Sequence, residues 1–183
     1  MKQLLRLAIV ASLVSCISRV GTSKTGGVVS KTDSTERSIA SPYPIQYSAH
    51  FGMGNPKNAE DLLTIWKVWD SGYLAAYKDL FADTVEMHFS DGSVVRESRD
   101  RLTETGNAYR KTLAKVVSSV RMIMPVKCID KNECWALIWG KEVDTYKDGK
   151  VDSFLLQETW RFNNGGKADL VFQYKSAAAM PDN

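Results

Sequence analysis

The chain has 183 residues, a quarter of them charged, and a formal net charge of +3 at neutral pH. That length suits one globular domain with a real core, and two of the positive charges, Lys2 and Arg6, sit at the extreme N-terminus, leaving the remainder near neutral. Nothing resembles the basic stripe that neutralises phosphates, so nucleic acid is not an expected partner, and no run reaches the ~20 apolar residues of a membrane helix.

Leu13-Val14-Ser15-Cys16 follows the two basic residues and an apolar stretch over 7–14. A cysteine directly after a short apolar run, with a small residue before it, resembles the lipobox of a bacterial lipoprotein. The resemblance implies a signal peptide over 1–15, a diacylglyceryl group on the Cys16 thiol and an acylated new terminus. The protein is therefore expected in the bacterial cell envelope, membrane-anchored through lipid. Ile17 after the cysteine is no inner-membrane retention signal by the same resemblance, which points to the outer membrane facing the periplasm. Residues 16–54 read as a flexible tether, because 23–41 is rich in Ser, Thr, Gly and Lys and shows no sustained period. Tyr43, Tyr47 and Phe51 depart from that composition. Either they dock on the domain, or Pro42-Tyr43-Pro44 simply stiffens the end of the tether.

The globular pattern spans 55–176, with a disordered tail expected over 177–183. Asn55-Pro56 is a helix start, Leu62, Leu63, Trp66 and Trp69 fall at helical spacing, and Asp70-Ser71-Gly72 ends the helix. A second short helix carries Tyr73, Leu74, Tyr77, Leu80 and Phe81. Val85, Met87 and Phe89 then alternate with Glu86 and His88 as a strand, closed by an Asp91-Gly92 hairpin turn. A third helix is expected over 99–117, with Leu102, Gly106, Tyr109, Leu113 and Val116 as its stripe. The last third reads as strands. Val120, Met122, Met124 and Val126 share one parity, while the strand over 134–146 has Trp135, Leu137, Trp139 and Val143 on one side and Ala136 and Ile138 on the other, so both its faces look covered. Strands over 151–162 and 168–175 follow, the latter with Leu170, Phe172 and Tyr174 on one face.

Cys128 and Cys134 flank a five-residue hairpin turn and form a candidate disulfide, though both also suit a sheet as small apolar fillers. His50 and His88 are the only histidines, and neither is spaced for metal with the other or with a cysteine. No metal and no cofactor are expected.

The order helix, helix, hairpin, helix and four long antiparallel strands resembles the nuclear transport factor 2-like superfamily, specifically its SnoaL-like branch. The residues that carry this are Asp70-Ser71-Gly72, Phe81-Ala82-Asp83-Thr84-Val85, Ser90-Asp91-Gly92 and the stretch from Trp160 to Lys167. Gly165-Gly166-Lys167-Ala168 departs from the family's usual closing turn of Asp-Gly-Lys and a β-branched residue. The resemblance implies an α+β fold, a cone-shaped curved antiparallel sheet wrapped around three helices, with a pocket at the open end and often a dimer across the outer sheet face. Isomerases, cyclases, dehydratases and epoxide hydrolases share that superfamily with many domains of no known reaction, so fold alone does not choose a function.

Within that frame Glu158 is the sharpest candidate, the one charge on a strand face with Phe154, Leu156, Trp160 and Phe162. A buried carboxyl titrates high and can shuttle protons; it can equally be a structural ion-pair partner. His88 is a second catalytic candidate, against the plainer reading of a solvated histidine. Trp66, Tyr73, Tyr77, Tyr109 and Trp160 are candidate ligand contacts, or core anchors. Three readings follow: a module binding a small apolar molecule, ranked first; a cofactor-free isomerase, cyclase or hydratase; and an interaction protein. Trp135 and Trp139 together favour a homodimer across the outer face.

Overall fold

A computed structural model of the chain describes residues 39–176. The expected signal peptide, the expected acylation site Cys16, the expected tether up to residue 38 and the expected tail over 177–183 lie outside the described residues.

Helix α1 (Pro56–Ser71) begins where the sequence signals it: the Asn55 side chain accepts from the Lys57 amide at 3.0 Å, with proline in the first turn. It ends at Gly72, whose φ of 81° only glycine adopts freely. Leu62, Ile65 and Trp66 are buried on its inner side, whereas Leu63, expected on the same stripe, is exposed. Two 3₁₀ turns (Leu74–Leu80), broken at Tyr77, lead into β2 (Phe81–Phe89), a hairpin at Gly92 and β3 (Val94–Ser98).

Helix α2 covers Arg99–Arg110, not the 99–117 expected. The chain turns extended at Leu113, because the β-branched pair Val116-Val117 is taken up by strand pairing with Asp144 and Val143. Arg110 fixes the break. Its guanidinium donates to the carbonyls of Trp69 at 3.1 Å, Asp70 at 2.8 Å and Leu113 at 3.3 Å, so it caps the C-terminus of α1 and staples it to the start of β4.

Strands β4 (Leu113–Cys128), β5 (Glu133–Tyr146), β6 (Val151–Phe162) and β7 (Ala168–Ser176) form an antiparallel run. The full sheet has the order β1-β4-β5-β6-β7-β2-β3, seven strands among the described residues, and is mixed because β2 runs parallel to β7. Strand β1 (Phe51–Met53) pairs with the end of β4; the tether therefore stops short of residue 54, and the sheet starts inside it.

A bulge in β4 corrects another expectation. Val120 lies opposite Gly140, but the next pair is Met122 with Trp139, and one extra residue transfers everything after it to the other face. Val120 thus shares the inner face with Gly140, while Met122, Met124 and Val126 share the outer face with Trp139, Leu137 and Trp135. The core lies on the inner face, where α1 crosses β4 and β5 onto Ala136, Ile138, Leu156, Trp160 and Val171. On the outer face Tyr47 packs edge-on against Trp135, with ring centroids 6.2 Å apart; its hydroxyl donates to Glu133 and the Lys131 ammonium sits over its ring. Of the three aromatic residues Tyr47 docks, while Tyr43 is exposed and Phe51 half-exposed, and Trp135 is buried by its own chain. Trp139, Leu155 and Tyr174 instead line an open apolar groove of about 410 Å³.

The candidate disulfide is absent. Both cysteines are free, and Cys128 is paired with Glu133 while Cys134 is paired with Lys127. Directly opposed residues share a face and neighbouring pairs alternate, so the two thiols point to opposite sides of the sheet.

Gly140 lets α1 approach. A Cβ built there would lie 2.4 Å from the Ser119 carbonyl oxygen and 2.7 Å from the Trp66 ring, a space no side chain can enter without moving the indole or the backbone. Gly140→Ala is therefore expected to cost at least ~2 kcal/mol in chemical denaturation, whereas Gly149→Ala, which meets no atom within 4 Å but has a φ of 88°, should cost only the ~1 kcal/mol of a left-handed conformation. A Gly140→Ala protein as stable as the parent would show that the indole is not held against the strand.

Candidate functional site

Glu158 faces inward from β6, 4% exposed, and is surrounded by N–H donors. The indoles of Trp66 and Trp160 donate to its Oε2 at 2.7 and 2.8 Å, and the Gln173 amide donates to its Oε1 at 2.7 Å. Three elements meet there: Trp66 comes from α1, Trp160 from β6 and Gln173 from β7. No cation takes part. Burial pushes the carboxyl up from its ordinary range, and the three donors hold it back. Both oxygens are already engaged, so Glu158 as found is a satisfied polar centre rather than a group waiting for a substrate.

The inner face of β5 carries two further carboxylates, Glu142 and Asp144. Parity with Ala136 and Ile138 places them there, and the pairing of Glu142 with Phe154 and of Asp144 with Asp152 confirms it. Trp69 of α1 donates its indole N–H to Glu142 Oε2 at 2.8 Å. Burial, and then the charge of Asp144, push Glu142 up to about 7, against the opposing pull of Lys175 and the Trp69 N–H. Asp144 is fully buried, and neither of its oxygens has a hydrogen-bond partner. Burial raises it as well, opposed by the charges of Lys175 and Arg110. Arg110 cannot serve as a partner without surrendering the three carbonyls it caps.

Aromatic side chains border the pair. Tyr109 of α2 stacks on Trp69, with ring centroids 6.1 Å apart and planes 8° from parallel. Burial, a hydrogen bond with Tyr146 and the nearby acids push its hydroxyl up to about 12. Lys175, on β7 opposite Leu156, places its ammonium 3.3 Å from the centre of the Phe154 ring.

The sequence candidates are thus divided. Trp66 and Trp160 join Glu158, and Tyr109 joins the second pair of acids. Tyr73, 70% exposed, and Tyr77 lie outside the cone on the 3₁₀ turns. His88 is on the outer face, stacked on Phe172 at 4.7 Å and hydrogen-bonded to Glu86 at 2.7 Å. The sheet separates it from Glu158, so it cannot hold an oxyanion on a group that Glu158 deprotonates. Glu142 and Asp144 were missed, although the inward parity of Ala136 and Ile138 carries straight on to both. A separate cleft of about 680 Å³ lies between the 3₁₀ turns and α2, lined by Lys78, Asp100, Thr103 and Asn107.

No protein-family profile matches the chain, and no curated protein matches it. Solved structures do. A nuclear transport factor 2-like protein of unknown function from Exiguobacterium sp. 255-15 superposes with a TM-score of 0.53 at 13% identity, over 64% of this chain and 99% of that one. An LEH-like epoxide hydrolase of M. tuberculosis gives 0.56 at 8% identity, over 66% and 84%. SalBIII, an epoxide hydrolase/cyclase-like enzyme of pyran ring formation in polyether salinomycin, gives 0.55 at 11% identity, over 66% and 92%. At such identities what is shared is the fold, and the described domain has the nuclear transport factor 2-like cone fold.

Proposed function

We propose that the chain is a bacterial envelope lipoprotein, anchored at the outer membrane by acyl chains on Cys16, whose cone binds a small, largely apolar molecule on the inner face of β5. Asp144 carries this reading. A buried carboxylate with two empty acceptor oxygens costs stability, and a cone with no ligand to meet would be better served there by an apolar residue. The aromatic rings of Trp69, Tyr109 and Phe154 supply the apolar wall that a small molecule needs beside a few polar groups. One observation favours a second reading, acid–base catalysis of the isomerase, cyclase or hydratase type: Glu142, held near 7, is matched to proton transfer at neutral pH. In that reading the proton shuttle is Glu142 and not Glu158, whose oxygens are occupied.

The outer groove of Trp139, Leu155 and Tyr174, flanked by Met122 at 55% exposure, supports self-association through that face, now without Trp135. The full-length chain in detergent should run as a dimer by light scattering, and Met122→Glu should make it monomeric; a parent that is monomeric at micromolar concentration would exclude the dimer.

Two acyl chains suffice for stable anchoring where one does not. Cys16→Ala should leave the precursor uncleaved or release the protein from membranes, and a variant processed and fractionating like its parent would overturn the lipid anchor. Native mass spectrometry of protein purified from envelopes should show a bound small molecule, and a ligand-free mass on repeated preparations would count against the binding reading.

The acids also set a pH dependence. An unfolded glutamate releases its proton near 4.5 while folded Glu142 keeps it to about 7, so over that window the unfolded chain holds fewer protons and stability falls as pH rises. Thermal unfolding should show a higher melting temperature at pH 5 than at pH 8. Glu142→Gln should flatten the profile, and an unchanged slope in that variant would place the titrating group elsewhere.

A further inference from the structure

Glu142 and Asp144 lie beyond the hydrophobic core on the inner face of β5, and what surrounds them specifies a ligand chemistry more closely than an apolar wall does. Asp144 offers two unpartnered oxygens at 0% exposure. Glu142 has one oxygen engaged by the Trp69 indole. The groups that face them are Lys175 from β7, Arg110 and Tyr109 from α2, Tyr146 at the end of β5, and Asp152 from β6. Arg110 is committed to backbone carbonyls, and Asp152 is paired with Lys150 at 3.0 Å. Of the two cations among the described residues whose charge acts on the pair, the Lys175 ammonium is the one not held by backbone carbonyls. It reaches in from the exposed end of β7 and rests on the Phe154 ring, the ring directly opposite Glu142 in the strand register.

That arrangement is an ammonium over an aromatic face beside two carboxylates, the combination by which proteins recognise organic cations. A metal is a poorer match: among the described residues no three His, Cys, Asp or Glu side chains are grouped to hold one. The stacked Trp69 and Tyr109 rings, the latter 45% exposed, form a flat apolar slab next to the acids. Resting on the reading of the cone as a binding module, we propose that this site takes a small molecule with an apolar body and a primary ammonium, the ammonium meeting Asp144 and Glu142 and the body lying on Trp69 and Tyr109, and that Lys175 occupies the cation position from within the chain until such a ligand displaces it.

The test uses the full-length chain with Cys16→Ser, which removes the acylation site, and three probes with the same three-carbon side chain: 3-phenylpropylammonium, 3-phenylpropan-1-ol and 3-phenylpropanoate. Binding is followed at pH 8 by calorimetry and by the indole N–H resonance of Trp69. The amine should bind at least tenfold more tightly than the alcohol, and the carboxylate should not bind. Lys175→Met, which keeps the apolar stem and removes the competing charge, should tighten amine binding at least threefold while leaving the alcohol unchanged. Asp144→Asn should bring amine and alcohol within twofold of each other and should melt no lower than the parent, because the carboxylate it removes has no partner to lose. Equal binding of amine and alcohol by the parent would overturn the ammonium inference while leaving the binding module standing. Amine binding indifferent to Lys175→Met would overturn the internal occupant. Absence of binding by all three probes, in parent and Lys175→Met proteins that melt cooperatively, would overturn the site itself, and the bound mass in envelope-purified protein would then decide separately whether the cone binds anything.

Discussion

The cone depends on one contact, the Trp66 indole laid across Gly140 with its N–H directed into Glu158. A helix packs on a sheet at a distance set by the side chains between them. The missing side chain at residue 140 lets the widest ring of α1 lie flat against β5 and reach an acceptor on β6. From that point the rest follows in order. Trp160 and Gln173 complete the shell of Glu158 from β6 and β7, so the helix and two strands are joined through one buried carboxyl. Trp69, three residues along α1, then meets Glu142 by the same kind of bond. Two turns of helix and two carboxylates on neighbouring strands thus fix where α1 lies along the sheet.

The two tryptophan contacts have opposite outcomes for the acids they touch. Glu158 receives three donors and becomes part of the frame. Glu142 receives one and has a like charge as its neighbour on the strand, so burial and repulsion act together to hold it near neutrality. Asp144 receives none. The inner face therefore grades from a satisfied carboxylate within the core to an unsatisfied one beyond it. Buried polar groups in native proteins are overwhelmingly hydrogen-bonded, which is why the proposed binding is assigned to the unsatisfied end and not to the satisfied one.

Much of this was legible in the sequence. The helix start at Asn55-Pro56, its stop at Gly72, the hairpins at Gly92 and Gly149 and the inward face of β6 follow from turn chemistry and strict alternation, both of which act over a few residues. Glu158 was found by the same rule. The failures share a cause, long-range pairing that local pattern does not contain. Leu113 and Val116 fit a helical stripe as well as a strand, and only pairing with β5 settles the matter. The bulge at Arg121 exchanges the faces of β4 without any glycine or proline at that residue to announce it. Cys128 and Cys134 are close in sequence and adjacent in register, yet alternation turns them apart. Glu142 and Asp144 flank Val143, which continues the outer face of the tryptophans, so the apolar pattern at this end of β5 marks the outer face and not the two acids beside it.

The outer face shows how the tether's last residues bear on the inner one. Tyr47 covers Trp135, β1 extends the sheet beside β4, and Ser48 bonds Asp130 at the β4–β5 turn at 2.7 Å. These contacts fix the end of the sheet where the core is densest. At the opposite end β7 finishes at Ser176 beside the open groove, and the charge of Lys175 there acts on both acids. The end of β7 is held by its pairing with β6, Lys175 with Leu156 and Ser176 with Leu155, and its last residues are exposed. Local opening free energy tracks the number of buried contacts a segment would lose, and the pairing of β7 with β2 ends at Gln173, short of its last residues. Asp144 is at 0% exposure, so the proposed binding requires local opening of the domain.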